Sequence, residues 1–198
     1  MSESTSEGVR ILTIIGTSRP GNFTGHAARL VVDQVERTEG VAAELFDPAG
    51  KTLPFPGHPD ETGDGRALAA AVSRATGVVL ATPEYHGGFS AMTKLTIENM
   101  GFPSALAGKP VALLGVAAGQ IGAIKSLESL RGVCSHVGAI VLPGPVSVAG
   151  VQKVFDADGS CSDERVEAHI RGVADGLIDY IHQNICPRHT LEAMVRGG

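Results

Sequence analysis

The sequence predicts an α/β fold: a five-stranded parallel sheet of order 2-1-3-4-5, covered by helices as a three-layer sandwich. Three observations predict it. Five short aliphatic runs, Val9–Ile15, Val41–Phe46, Gly77–Ala81, Pro110–Val116 and Gly138–Leu142, alternate with stretches of helical spacing. With no Trp and only two Tyr, the core must be built from Val, Ile, Leu and Ala, as in parallel strands buried on both faces. At 198 residues the chain fills one core and is short for two. Right-handed crossovers then leave few topologies, and 2-1-3-4-5 is a natural solution for five strands.

Taken in order, Met1–Gly8 (residues 1–8) is polar and expected as a flexible tail, 9–184 as a single domain, and 185–198 as a C-terminal tail. After the first strand, Phe23, Ala27, Leu30 or Val31 and Val35 share a helical face. "PFPGHPDETGDG" at 54–65 reads as a long loop placed to cover a site rather than to separate domains. Leu68, Val72 and Ala75 form the next helical stripe, and the third strand is expected to end at Pro83, which has no N–H to donate. In Phe89–Phe102, Met92, Leu95, Ile97 and Met100 make either a subunit interface or the buried face of the third helix. Ile124, Leu127, Leu130 and Cys134 mark the fourth. The clearest stripe is the last, Val166, Ile170, Val173, Leu177 and Ile181, with Ser162 as expected N-cap and Asp163 and Glu164 suited to the positive helix end.

A net charge of −5 without a basic stripe argues against nucleic acid as a partner, and no run reaches the roughly 18 apolar residues of a membrane span. Cys134, Cys161 and Cys186 are odd in number and lack a CxxC pattern, which fits a reducing, cytoplasmic compartment. The D-A-D-G run at 156–159 reaches its glycine too early for an EF-hand loop and reads as a turn. The seven His show no metal-binding spacing.

Ligands of an open parallel sheet sit outside the carboxyl ends of the strands. After strand 1 comes "GTSRPGNFTG", where Thr17, Ser18, Asn22 and Thr24 offer side-chain donors, Arg19 adds a guanidinium, and the helix starting near Asn22 or Phe23 aims free N–H groups at the same space. Together they make an anion site of monophosphate size. After strand 3, in "TPEYHGGF", Pro83 and Glu84 lead to Tyr85, a rigid aromatic wall. Gly87 and Gly88 let the backbone approach a flat ligand, and His86 is either a ligand contact or a solvated loop residue. After strand 4, Ala118, Gly119, Gln120 and Gly122 suit the edge of a planar group. There is no G-x-x-x-x-G-K-[ST], no G-x-G-x-x-G and no acidic cluster after strand 1. A phosphate cradle, a flat slot and a second glycine wall together describe FMN.

These segments resemble the NAD(P)H-dependent FMN reductases, the flavodoxin-like group that includes quinone, chromate and azo-dye reductases. "GTSRPGNFTGHAARL" is similar to their phosphate loop, with Asn22 and Thr24 where Ser and Asn are usual. "TPEYHGGFSAMTKLTIENM" resembles the segment that holds the isoalloxazine, with His86 where Asn is commoner. "GKPVALLGVAAGQIGA" corresponds to the next strand and loop, and the likeness runs from about Arg10 to Ile181. It implies a flavodoxin-like fold, FMN as cofactor, NADPH or NADH as donor, a small acceptor (flavin, quinone, azo compound or metal oxyanion) and a homodimer or homotetramer. The flavin carries the chemistry, so no catalytic side chain is expected. The rival readings are a flavodoxin-type electron carrier and a flavin-less interaction or regulatory scaffold.

Overall fold

The computed structural model describes residues 8–196; of the expected tail at 1–8, residues 1–7 lie outside them. The strands are β1 (Val9–Ile15), β2 (Val41–Phe46), β3 (Gly77–Tyr85), β4 (Gly88–Phe89), β5 (Pro110–Val116), β6 (Ile140–Val141) and β7 (Val146–Val148). The helices are α1 (Phe23–Glu36), α2 (Asp64–Arg74), α3 (Ala91–Glu98), α4 (Ile124–His136), α5 (Glu164–Tyr180) and α6 (Cys186–Arg196), with a π-helical turn at Ile181–Ile185 joining the last two. The parallel sheet has the order β2-β1-β3-β5-β6, which is the expected 2-1-3-4-5 once the short hairpin partner β4 is set aside.

Each central strand sends alternate side chains to opposite faces. Ile11, Ile15, Val79, Ala81, Leu114 and Val116 meet α1 and α5 on one side. Leu12, Ile14, Val78, Leu80, Val111 and Leu113 meet α2, α3 and α4 on the other. Burying each large aliphatic side chain contributes about 1.5–3 kcal/mol. Leu127, Leu130 and Cys134 of the expected α4 stripe are buried, whereas Ile124 is 48% exposed. Burial pushes the Cys134 thiol up to about 12, the mark of an inert core thiol. Ile97 and Met100 are buried, and Met92 and Leu95 pack on the same core, so this stripe is the inner face of α3. Among the described residues no helix is long and apolar enough to cross a membrane.

Five expectations need correction. β3 does not stop before Pro83 but continues to Tyr85, with Pro83 in register with Val116. β1 has already ended at Ile15, opposite Ala81, so β3 is an edge on that flank and tolerates a residue without an N–H. The last strand is split: Ile140–Val141 and Val146–Val148 both pair with β5, interrupted where Pro143 and Pro145 remove donors. The N-cap of α5 is Asp163, whose carboxylate accepts from Arg165 N and Val166 N; the Ser162 hydroxyl instead donates to Val154 O at 3.1 Å. A carboxylate is the stronger acceptor at a positive helix end. The segment expected as a C-terminal tail is helical through Arg196. Finally, the 54–65 loop folds toward α2 and α3, tied by Asn99 Nδ2 donating to Pro54 O at 3.0 Å and by Asp60 accepting from Arg66 N at 2.8 Å. It lines its own depression of about 270 Å³ and not the cleft at the strand ends.

Candidate functional site

A cleft of about 410 Å³ opens at the carboxyl ends of β1, β3 and β5, lined by residues 19–24, 83–85 and 116–118 and by Val151. That volume lies in the range of small-molecule sites, about 300–1,000 Å³. Of the residues singled out from sequence, Arg19, Asn22, Phe23, Thr24, Pro83, Glu84, Tyr85 and Ala118 meet there.

Loop 16–22 is shaped by close approach. A Cβ on Gly16 would fall 2.1 Å from Thr93 Oγ1 and 2.7 Å from Ala81 O, so only glycine fits. The carbonyl of Gly16 accepts from Thr93 Oγ1 at 3.1 Å and from Ser90 Oγ, while Thr93 also meets Thr82 Oγ1 at 2.9 Å. This buried hydroxyl cluster ties the ends of β1 and β3 to the start of α3. Thr17 is buried; its Oγ1 accepts from Arg19 N at 3.3 Å and lies 3.4 Å from Tyr85 OH. Ser18 is exposed and lies outside the cleft lining.

Asn22 caps α1: its Oδ1 accepts from Gly25 N at 2.6 Å and its Nδ2 donates to Arg19 O at 2.8 Å. The side chain is thus committed to holding the loop. The first-turn amides of Phe23 and Thr24 keep no intrahelical partner, and Arg19 makes no ion pair among the described residues. An unpaired guanidinium beside a helix N-terminus is a donor set for an oxyanion.

At the end of β3 the chain forms a hairpin. Glu84 pairs with Phe89 and Tyr85 with Gly88, leaving His86 and Gly87 as a two-residue turn with φ of 52° and 76°. Positive φ at both central positions is the type I′ geometry that matches strand twist. Among the described residues His86 is the one non-glycine with positive φ. His86, Gly87 and Gly88 therefore stand at and beside the hairpin tip, outside the cleft lining. Glu84 turns toward α4, its Oε2 accepting from Ser126 N at 3.1 Å, and supplies the cap that Ala123 lacks.

Beyond β5 the backbone of Val116–Ala118 forms one wall. Gly119, Gln120 and Gly122 lie outside: Gly119 O accepts from Gly122 N and Gly150 N, both at 3.2 Å, and Gly122 is pressed against Ser147. Val151 was not singled out from sequence. It comes from the turn after β7, a pairing of distant segments with no local motif.

A flavodoxin-like sheet with a cleft at its strand ends, donors suited to an oxyanion on one side and backbone walls on the other, is the architecture of an α/β protein with a small-ligand site. The NADPH-dependent FMN reductase family model matches residues 9–153, and the chain belongs to that family. It is 34% identical over 146 residues to an NADPH azoreductase from Bacillus sp. (strain OY1-2), covering 72% of this chain and 78% of that protein. To a quinone reductase from Escherichia coli (strain K12) it is 28% identical over 187 residues, covering 90% and 98%. The solved structure of FerB, a flavoenzyme NAD(P)H:(acceptor) oxidoreductase from Paracoccus denitrificans, superposes with a TM-score of 0.70 at 23% identity, covering 88% of this chain and 98% of that one, and supports the fold. The protein is an NAD(P)H-dependent oxidoreductase whose cofactor is FMN.

Proposed function

We propose that this enzyme reduces quinones or azo compounds, with FMN held in the 410 Å³ cleft. The observation that carries the reading is the meeting of unpaired Arg19 and the open α1 amides with the backbone of Pro83–Tyr85 and Val116–Ala118 in one cavity. The residues present fit the cofactor: a cationic and amide cradle suits the 5′-phosphate, and two flat backbone walls suit the ring. Held there by Arg19 and the α1 amides against the two backbone walls, FMN would supply the electron transfer between NAD(P)H and the acceptor.

The chain's own residues bind and orient. Arg19, the amides of Phe23 and Thr24, and the Thr24 hydroxyl hold the phosphate; Asn22 fixes the loop that presents them. Tyr85, steadied by Thr17, walls the ring site, and Pro83, Glu84 and Ala118 offer backbone groups along it. Thr17, Ser18, His86, Gly87, Gly88, Gly119, Gln120 and Gly122 shape the surroundings rather than line the cleft. Cys134 and Cys161, both free thiols, suit a cytoplasmic setting. A homodimer or homotetramer is also proposed, on the resemblance and on the fully exposed Phe102.

The test is a visible spectrum of the purified protein with FMN, first with anaerobic NADPH and then with a benzoquinone or a mono-azo dye. The expected result is a perturbed flavin band that bleaches with NADPH and returns with the acceptor. A band that bleaches but is restored by neither acceptor would contradict the acceptor assignment; a protein that leaves free FMN unperturbed would contradict the site.

A further inference from the structure

Three helices carry an N-cap side chain of their own: Asn22 serves α1, Ser90 serves α3 and Asp163 serves α5. α2 draws on Asp60 in the loop just before it. α4 is different. Its N-cap, Ala123, makes no side-chain cap and is fully buried against Gly115, with no room for a longer side chain. The acceptor at its first turn is Glu84 Oε2, 42 residues earlier, which takes the N–H of Ser126 at 3.1 Å. Glu84 stands on the lining of the cleft, so α4 is tied to the Pro83–Tyr85 wall. Its carboxylate makes no ion pair among the described residues. A helix start offsets only about half a unit of charge, so net negative charge remains beside this wall. A neutral amide oxygen would serve the Ser126 N–H as an acceptor too, yet position 84 carries a charge.

We propose that Glu84 is a positioning residue with an electrostatic task. It anchors the Pro83–Tyr85 wall to α4, and its charge makes the cleft hold reduced FMN less tightly than oxidised FMN. The inference rests on the reading that FMN occupies this cleft. Two-electron reduction at neutral pH adds negative charge to the flavin ring, and a carboxylate beside the ring's wall disfavours that added charge. By linkage, a site that binds the reduced form more weakly makes the bound cofactor a stronger reductant. Such a cofactor suits acceptors that take electrons reluctantly, so the charge at Glu84 widens the range of acceptors the cleft can serve. The hydrogen bond from Ser126 N fixes the carboxylate in place, and the α4 dipole offsets part of the penalty of holding it there.

The experiment uses FMN-loaded protein as wild type, Glu84→Gln and Glu84→Asp. The first variant keeps the reach and loses the charge; the second keeps the charge and loses the reach. The midpoint potential of the bound FMN is measured at neutral pH against a reference dye, and Tm is measured on the FMN-free proteins. Glu84→Gln should favour reduced over oxidised FMN by about tenfold, a rise of about 30 mV for a two-electron couple, with Tm held. Glu84→Asp should change that ratio by less than about twofold, or about 9 mV, and lower Tm by about 2–4 °C through the lost cap. A Glu84→Gln potential within about 9 mV of wild type, or the same shift in both variants, would overturn the electrostatic task. A Tm lowered equally by both variants would overturn the anchoring. A wild type that retains no FMN would contradict the cleft reading, and this inference with it.

Discussion

Gly16 shows how little freedom one residue in this site has. Its missing Cβ would overlap Thr93 Oγ1 and the carbonyl of Ala81, which itself accepts from Gly16 N at 2.7 Å. Gly16→Ala must separate β1 from β3 or break the hydroxyl cluster, and should destabilise by about 2–4 kcal/mol in denaturant unfolding. A loss under 0.5 kcal/mol would mean the strand ends are more pliable than this packing shows. Ser126 is the opposite case. Its Oγ is buried with no hydrogen-bond partner among the described residues, while its backbone N–H serves Glu84. Ser126→Ala removes an unsatisfied polar atom and keeps the amide, so unfolding should find it neutral or up to about 1 kcal/mol more stable. Clear destabilisation would show that the hydroxyl has a partner, such as a buried water.

At the scale of elements, the seam between α1 and α5 is electrostatic at its surface. Asp33 Oδ2 accepts from Arg171 Nη1 at 2.6 Å and lies 2.7 Å from Arg37 Nη2; Arg171 Nε also donates to Glu167 at 2.8 Å. The hydrogen bond from Arg171, with the charges of Arg171 and Arg37, holds the Asp33 carboxyl below its ordinary value of 3.8 against an opposing effect of burial. Because the folded state favours the ionised form, this contribution is present above the unfolded value and lost as pH falls through the lowered folded one. Arg171→Gln should therefore lower Tm at pH 7 and make less difference at pH 2–3. A gap independent of pH would mean that Arg171 stabilises by packing its stem.

For the molecule as a whole, the parallel sheet and its order were legible because strands buried on both faces write continuous aliphatic runs, and helices between them keep their 3.6-residue spacing. The turn and helix start after β1 were legible too, since a helix cap, an arginine and a glycine turn lie within ten residues. What stayed hidden depends on partners distant in sequence. Pro83 looks like a strand end until β1 is seen to stop short of it, at Ile15 opposite Ala81. The hairpin at His86–Gly87 has a β4 of only two residues, too short for periodicity, although a His-Gly pair can take the positive φ values of a type I′ turn. Val151 reaches the cleft from beyond β7, and the 54–65 loop turns away from it, choices that only tertiary packing decides. Asn22 was read as a phosphate donor, but its side chain caps the helix, so the proposed phosphate site rests on Arg19 and the α1 amides.

The most direct measurement is therefore a pair of titrations, FMN and riboflavin, into wild-type protein and Arg19→Ala. Riboflavin has the same ring and no phosphate. A hydrogen-bonded charge pair of this kind is worth about 1.5–3 kcal/mol, so FMN affinity should fall at least tenfold in Arg19→Ala while riboflavin affinity stays within a factor of two. An FMN affinity unchanged by the substitution, or an equal loss for both ligands, would contradict the placing of the phosphate at the start of α1.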